Sequence, residues 1–336
     1  THAEGPERTR AIAVWTAVSL AGGGFGNIAS GLLTDLISWR ATLLINLPIG
    51  ACVVIAALVL HRRTTDRCGA GRIDFIGAGL ATAAFTCAIY ALSVAGEGVP
   101  GGLLAVVGSL AVAMFVLLVL QQRRTSHKLV PSDLMQDRLI VLGNIATALT
   151  GACFQVGLWY FLTYRMQTQF GYSPIQAGLA FLPLTASMLT VNLWFTPRLM
   201  NRHAPRVLIV IGAVVAVPGL LWLTVVDDGP FAVAVLVPTA MIGIGGGLMN
   251  TPLAALVTTG VRPEHAGAAS GLMNTAKQFG GAIGLAAATT AAAIAGTDRA
   301  AFVLMSVALL AVIATASAIP AQSSEPQPAK TTGKAS

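Results

Sequence analysis

Residues 243–284 read GIGGGLMNTPLAALVTTGVRPEHAGAASGLMNTAKQFGGAIG, and this stretch decides the fold. Two apolar segments of helical length meet there at a short polar loop, TTGVRPEHAG. Residues four apart form one stripe along a helix, and small residues recur at that spacing on both sides of the loop. In lipid such stripes let helix backbones approach closely, because lipid gives helices no hydrophobic reason to associate. The stripe residues are Gly243, Gly247 and Thr251 before the loop and Gly267, Gly271, Gly280 and Gly284 after it.

The composition also indicates a membrane protein. Of the 336 residues, 55% are hydrophobic and 10% are charged, whereas about 25% of the residues in a soluble domain are charged. The mean hydropathy is +0.76. A spanning helix needs about 20 mostly apolar residues, so the sequence predicts an all-α polytopic membrane bundle with about ten spans. The predicted spans are approximately 11–33, 41–60, 73–94, 101–120, 139–163, 174–196, 206–226, 231–253, 265–290 and 299–319.

The positions of Lys and Arg predict the orientation. With both ends of this chain in the cytoplasm, 16 of the 20 Lys and Arg residues fall in inside loops or tails and 3 fall outside. An excess of these residues marks the cytoplasmic side. We therefore expect a multi-pass protein of the inner (plasma) membrane, with residues 321–336 as a disordered cytoplasmic tail. The net charge of +7 follows from this topology, so no nucleic-acid partner is expected.

Motifs of catalysis and metal binding are missing from the sequence. It contains no HExxH, no GxSxG and no pair of carboxylates on one span. The four cysteines form no CxxC pair, and the five histidines are dispersed among predicted inside segments. We expect no enzyme activity, no metal and no cofactor.

The stretch GGGFGNIASG (22–31), with the Trp-Arg pair and the NLPIG segment that follow it, resembles helices five and six of the fourteen-span drug:proton antiporters. These multidrug efflux permeases belong to the major facilitator superfamily. Asn27 stands where that family has proline, and Ser30 stands where it has the first glycine of a pair. The matching residues are Gly26, Gly31, Trp39, Arg40, Asn46, Pro48 and Gly50.

Further matches follow in the family's order. The segment FGYSPIQAGLAFLP (170–183) resembles the loop between helices seven and eight, and residues 243–284 resemble helices ten and eleven. The resemblance implies a remnant of the N-terminal bundle at 1–60, two extra linking helices within 61–138 and a C-terminal six-helix bundle at 139–320. Family helices one to four have no counterpart here, so we expect a fragment or truncated product that cannot transport alone.

The resemblance implies proton-coupled efflux of amphipathic, often cationic, drugs or small metabolites by alternating access. The partners would then be a small-molecule substrate, protons as coupling ion and the lipid bilayer. No Asp or Glu lies deep within a predicted span, so the proton-coupling residues are expected upstream of Thr1. The alternative is a truncated, transport-inactive membrane protein with a structural or partner-dependent role.

Polar residues within the spans are the candidate substrate-binding groups, because polar side chains in a membrane are costly. The candidates lie on three predicted spans. These are 139–163, 231–253, which resembles family helix ten, and 265–290. Trp159 is either part of an interfacial belt or a stacking surface, and the amides are either cavity-lining or helix-packing groups. The predicted substrate-binding residues are Asn144, Gln155, Trp159, Asn250, Asn274 and Gln278.

Three further expectations concern residues near these candidates. Lys277 either reaches for the cytoplasmic interface or belongs to an anion or proton pathway. Arg165 is expected at the outer interface, with its side chain extending towards water. The antiporter-like motif is either plain helix packing or a hinge or seal between moving halves. Its residues are Gly22, Gly26, Asn27, Ser30 and Gly31.

Overall fold

The structure, a computed structural model, describes residues 22, 25–61, 74–95, 101–125, 130–226 and 229–319. Within these residues the protein is helical and contains no strand. Nine helical segments there are long and apolar enough to cross a membrane. They match nine of the ten predicted spans. The remaining one, 11–33, lies mostly outside the described residues, and its described part belongs to a helix over 25–36.

The helices are numbered here in chain order, and several spans consist of two or three consecutive segments. They are α1 (25–36), α2 (Trp39–Leu44), α3 (Asn46–His61), α4 (Phe75–Ala95), α5 (Gly101–Arg124), α6 (Ser132–Gln136), α7 (Arg138–Phe154), α8 (Gly157–Thr168), α9 (Pro174–Ala180), α10 (Leu182–Thr190), α11 (Thr196–Met200), α12 (Pro205–Val225), α13 (Val237–Thr258), α14 (Ala266–Ala295) and α15 (Arg299–Ser317). Single π-helical turns at Val191–Phe195 and Ala232–Leu236 join α10 to α11 and precede α13.

Six spans between residues 138 and 319 form a bundle with α7 near its centre. Helix α7 packs against α13, α14 and α15, and α12 packs against α13 and α15. The buried apolar side chains of these helices form one continuous core that includes Leu162, Ile209, Ile242 and Phe302. This bundle holds the predicted polar residues at fixed positions.

Helices α7 and α14 approach each other through glycines. A Cβ built at Gly280 would lie 2.6 Å from the carbonyl carbon of Ala148, and one at Gly284 would collide with Ala152. The predicted small-residue stripe is therefore a contact surface at these two positions. Near the N-terminal end of α14 the stripe does not make such a contact, because nothing lies within 4 Å of a Cβ built at Gly267.

The stripe on α13 packs against the span that begins with α9. A Cβ built at Gly247 would lie 2.7 Å from the carbonyl oxygen of Met188. One turn further on, the Thr251 hydroxyl donates to the side-chain oxygen of Asn192 at 2.9 Å. Asn192 is 2% exposed. The contact joins buried Asn192 to half-buried Thr251, and it gives Asn192 a packing role.

The remaining spans lie at the side of this bundle. Helices α4 and α5 pack on each other, and α4 packs on α14, where the rings of Phe85 and Phe279 stack with centroids 3.3 Å apart.

Helix α1 approaches α9 through two glycines. A Cβ at Gly31 would lie 2.6 Å from the Pro174 carbonyl oxygen, and one at Gly178 would lie 2.8 Å from that of Asn27. All described side chains of α3 are exposed.

Arg165 is buried, so the expectation that it extends towards water at the outer interface is wrong. Its side chain is 1% exposed, and its Nε donates to Asp298 at 2.8 Å. A second guanidinium nitrogen donates to the Leu223 carbonyl, and the guanidinium lies 4.9 Å from the ring centre of Phe302. The prediction failed because it assigned Arg165 no partner, whereas the turn before α15 places Asp298 beside it.

An exposed ionic cluster ties α6 to the loop between α13 and α14. Arg262 donates to Asp133 at 2.6 Å, and His265 Nδ1 lies 2.9 Å from the same carboxylate oxygen. The hydrogen bond from Arg262 is the main cause that lowers the pKa of Asp133 to about 2. A depressed carboxylate pKa means that the contact is formed above the ordinary carboxylate pKa and is lost as the pH falls through about 2.

The contact between α7 and α14 predicts opposite effects of one substitution at two positions of α14. Gly267→Ala should preserve or raise the unfolding temperature, because alanine favours a helix by about 1 kcal/mol over glycine. Gly280→Ala should lower stability by about 1–3 kcal/mol, because the new methyl group meets backbone that cannot move aside. Thermal unfolding in detergent measures both variants. Equal unfolding temperatures would contradict the close contact.

The ion pair predicts a double-mutant effect. Arg165→Met should lower the free energy of unfolding by about 3–5 kcal/mol, because it leaves a buried carboxylate without its partner. Adding Asp298→Asn should recover part of that loss, since the uncompensated charge is then removed. Thermal unfolding of the single and double variants measures the coupling. Additive losses would show that the two side chains do not interact.

Candidate functional site

A cavity of about 540 Å³ lies within the bundle, between α1, α7, α8, α10, α13 and α14. Polar side chains from five of these helices reach its wall, and apolar side chains complete it. The polar residues are Asn27, Thr147, Thr150, Gln155, Thr185, Asn250, Asn274 and Lys277, and the larger apolar ones are Phe154, Leu158, Trp159, Met188, Leu189 and Leu253. The volume lies within the range of small-molecule sites.

The cavity brings together four of the predicted substrate-binding residues, Gln155, Trp159, Asn250 and Asn274. They come from three different spans, so the fold converges them from distant parts of the sequence. The side-chain amides of Gln155, Asn250 and Asn274 form no hydrogen bond with any described residue. Their donors and acceptors are therefore available to a bound molecule.

A break in the first span of the bundle shapes one wall. Helix α7 ends at Phe154 and α8 begins at Gly157, with turn geometry at Gln155 and Val156. The Trp159 indole N–H donates to the Phe154 carbonyl at 3.0 Å across this break. Its ring also lies 4.8 Å from the ring of Phe181. Both contacts fix the indole on the cavity wall, which favours the stacking interpretation of Trp159.

Three hydroxyl groups of the wall differ in how they are satisfied. Thr147 and Thr150 donate to carbonyl oxygens one turn earlier in α7. The Thr185 hydroxyl is buried and has no hydrogen-bond partner among the described residues. The sequence prediction missed Thr185. A hydroxyl within an otherwise apolar helix was the available signal, and it does not distinguish a cavity from a packed interface.

Lys277 lies in the wall beside the amides. It is the twelfth residue of the 30-residue helix α14, roughly 17 Å along the helix from its N-terminal end. The side chain is half-buried, and its ammonium makes no ion pair or hydrogen bond with any residue that the structure describes. Of the two predicted alternatives, this position favours the pathway over the cytoplasmic interface.

Two predicted substrate-binding residues do not line this cavity. Gln278 is exposed and absent from the wall. Asn144 is buried, and its amide donates to the Ile140 carbonyl at 2.8 Å. It lines a separate apolar groove of about 830 Å³ between the α4–α5 pair and the bundle. Asn144 shares a helical face with Gln155 but lies three turns away, where different helices cover that face.

Some residues of the antiporter-like motif line the cavity or pack against another helix, and others do neither. Gly31 is buried against α9, and Asn27 lines the cavity while its carbonyl lies against Gly178. Ser30 is half-buried. Gly22 and Gly26 are exposed, and a Cβ on either would meet nothing within 4 Å. Among the described residues of this motif, the close packing therefore involves Asn27 and Gly31, and not Gly22 or Gly26.

Comparison with known proteins identifies the family. Residues 1–285 match the family model described as Major Facilitator Superfamily. The chain belongs to this superfamily. A cephamycin export protein from Amycolatopsis lactamdurans is 43% identical over 302 residues, which cover 86% of this chain and 60% of that protein. A puromycin resistance protein from Streptomyces alboniger is 34% identical over 297 residues, which cover 84% and 57%.

A third relative agrees with these two. A lincomycin resistance protein from Streptomyces lincolnensis is 34% identical over 266 residues, which cover 78% of this chain and 54% of that protein. The chain thus spans somewhat more than half the length of the curated relatives that it matches. All three are named as export or resistance proteins. The resemblance to the major facilitator superfamily that the sequence indicated is thus confirmed.

The position of the cavity predicts which side chains meet water. In a variant whose four native cysteines are alanine, cysteines at Asn250→Cys and Asn274→Cys should react with a water-soluble methanethiosulfonate reagent. The matched control is Ser306→Cys on α15, which should not react because Ser306 is 2% exposed. Mass spectrometry measures the labelled fraction. An unreactive cysteine at 250, in protein that unfolds normally, would contradict a water-accessible cavity.

Proposed function

We propose that this protein exports amphipathic drugs or small metabolites by alternating access, in exchange for protons. The observation that carries the proposal is the cavity with unpaired amides inside a membrane bundle. Polar groups placed there are costly unless they serve a pathway or a substrate. Apolar walls beside a few convergent polar groups are typical of sites that bind small molecules. The export and resistance functions named for the relatives agree with this proposal.

We further propose that the protein is of the fourteen-span class. In this scheme residues 1–60 belong to the N-terminal bundle, 61–138 carry two linking helices, and 139–320 form the C-terminal six-helix bundle. The packing of α4 and α5 on each other, beside the six-span bundle, supports a linking pair. The distribution of Lys and Arg supports an inner-membrane location with both ends of the chain in the cytoplasm.

The contact between α1 and α9 is where this mechanism requires movement. Facilitators work by rocking one bundle against the other around a central site. Helix α1 belongs to the proposed N-terminal bundle, and it meets the C-terminal bundle through Gly31 and Gly178. Asn27 of the same helix lines the cavity. Rocking at these glycines would therefore move one wall of the cavity relative to the others.

An accumulation assay tests the proposed export. The protein is expressed from its native reading frame in a host that lacks its own drug exporters. The cells are loaded with puromycin, with lincomycin or with the anion 1-naphthaleneacetate. We expect active efflux that stops when an ionophore collapses the pH gradient. Asn250→Leu with Asn274→Leu should slow efflux roughly tenfold, because each lost hydrogen bond to a substrate costs about 1 kcal/mol or more.

Asn201→Leu is the matched control, because Asn201 lies exposed in the loop before α12. This variant should export at the original rate. Normal membrane levels of all variants must accompany the comparison. Efflux that continues without a pH gradient would remove proton coupling from the proposal. An absence of efflux of any tested compound would support the alternative of a transport-inactive protein.

A further inference from the structure

We infer that the cavity selects amphipathic anions, with Lys277 as the group that binds the carboxylate or a similar small oxyanion of the substrate. The inference rests on the proposed function and names the class of substrate. It differs from the cationic compounds that the resemblance implied. Three features of the described residues carry it: the charge of the wall, the partners that Lys277 lacks, and the break between α7 and α8.

The wall of the cavity carries a positive charge that nothing described neutralises. Lys277 is its one titratable side chain among the described residues, and these contribute no Asp, Glu or His to the wall. An ammonium group inside a membrane bundle is costly and marks a functional site unless it is paired. The described residues offer no ion pair to Lys277. A bound anion would supply the missing partner.

Lys277 and its polar neighbours together offer an oxyanion a charge and several hydrogen-bond donors. The ammonium offers donors and no acceptor. The amides of Asn250 and Asn274 and the unpartnered Thr185 hydroxyl can each donate as well as accept, so they can bind an oxyanion beside the ammonium, and the charge of Lys277 supplies the discrimination. A second cation in the same space would be repelled, so charge alone discriminates between otherwise similar molecules.

The break at Gln155–Val156 places the end of α7 and the start of α8 beside the cavity. The first turn of the 12-residue helix α8 contributes Leu158 and Trp159 to the cavity wall. The N-terminal end of a helix carries partial positive charge, and broken helices in transporters direct such ends at anionic groups. The apolar side chains opposite, such as Met188 and Leu253, leave room for the apolar part of the substrate.

Three ligands with one naphthalene ring test the inference. The protein, expressed from its native reading frame and placed in lipid nanodiscs, is titrated with 1-naphthaleneacetate, 1-naphthaleneacetamide and 1-naphthalenemethylammonium. We expect the acetate to bind at least tenfold more tightly than the neutral amide and the cation. A charge-assisted hydrogen bond lost from a buried site has roughly this effect or more. Isothermal titration calorimetry measures the three dissociation constants.

Substitutions at Lys277 then test whether this residue causes the tighter binding of the acetate. Lys277→Gln and Lys277→Met should weaken acetate binding roughly tenfold and change amide binding less than about twofold, whereas Lys277→Arg should keep the preference. Arg123→Gln is the matched control, because it removes one positive charge from an exposed position at the end of α5. Thermal unfolding shows whether each variant is folded. If one of the two neutral variants does not fold, the other still tests the role of Lys277.

The outcomes separate this inference from the proposed function. Undetectable acetate binding, equal binding of the three ligands, or an unchanged preference in both neutral variants would overturn the anion site. Efflux in the accumulation assay would persist in that case. Loss of efflux with an intact, Lys277-dependent preference would instead contradict the export function and leave the anion site standing.

Discussion

The close approach of α7 and α14 is the contact on which the rest of the described structure depends. In lipid, helices gain no hydrophobic energy by associating, so they associate through backbone contact and van der Waals packing. Gly280 and Gly284 allow this contact on α14, and Gly151 allows it on α7 against the Lys277 carbonyl. Every other helix of the six-span bundle is positioned on this pair directly or through α13 and α15. A side chain larger than hydrogen at these three glycines would separate these two adjacent helices, both of which line the cavity.

Polar contacts in the bundle fall into two groups with different consequences. Some are paired across helices, such as Asn192 with Thr251 and Arg165 with Asp298, and these hold helices together, although one guanidinium nitrogen of Arg165 has no described partner. Others, such as Asn250 and Lys277, face the cavity without a described partner. A membrane bundle has little reason to retain the second group for stability, because each unpaired group costs free energy in a low-dielectric surrounding. A partner on a neighbouring helix, rather than the residue type, therefore separates the groups that hold helices together from those that face the cavity.

The sequence predicted the fold well because length and apolarity alone determine a spanning helix. It predicted the site less completely. Gln155, Asn250 and Asn274 could be found because an amide in an apolar run is a strong signal. Asn144 gave the same signal and lies in another groove, since periodicity assigns a face of a helix and not the neighbour that covers it. Arg165 was misplaced for a similar reason, because its partner Asp298 lies 133 residues away and no local pattern joins them.

The same glycine packing also determines where the charge of the cavity lies. Gly151 lies against the Lys277 carbonyl, and Gly281 lies against the Gln155 side chain, so the two polar residues flank the contact between their helices. The backbone contact thus fixes the start of the Lys277 side chain, and the flexible remainder reaches the cavity. Since α14 holds this residue roughly 17 Å from its N-terminal end, its ammonium lies far from the water at that end of the helix. The cavity is then the polar surrounding that makes a lysine tolerable at this depth, and a ligand that enters the cavity meets this charge.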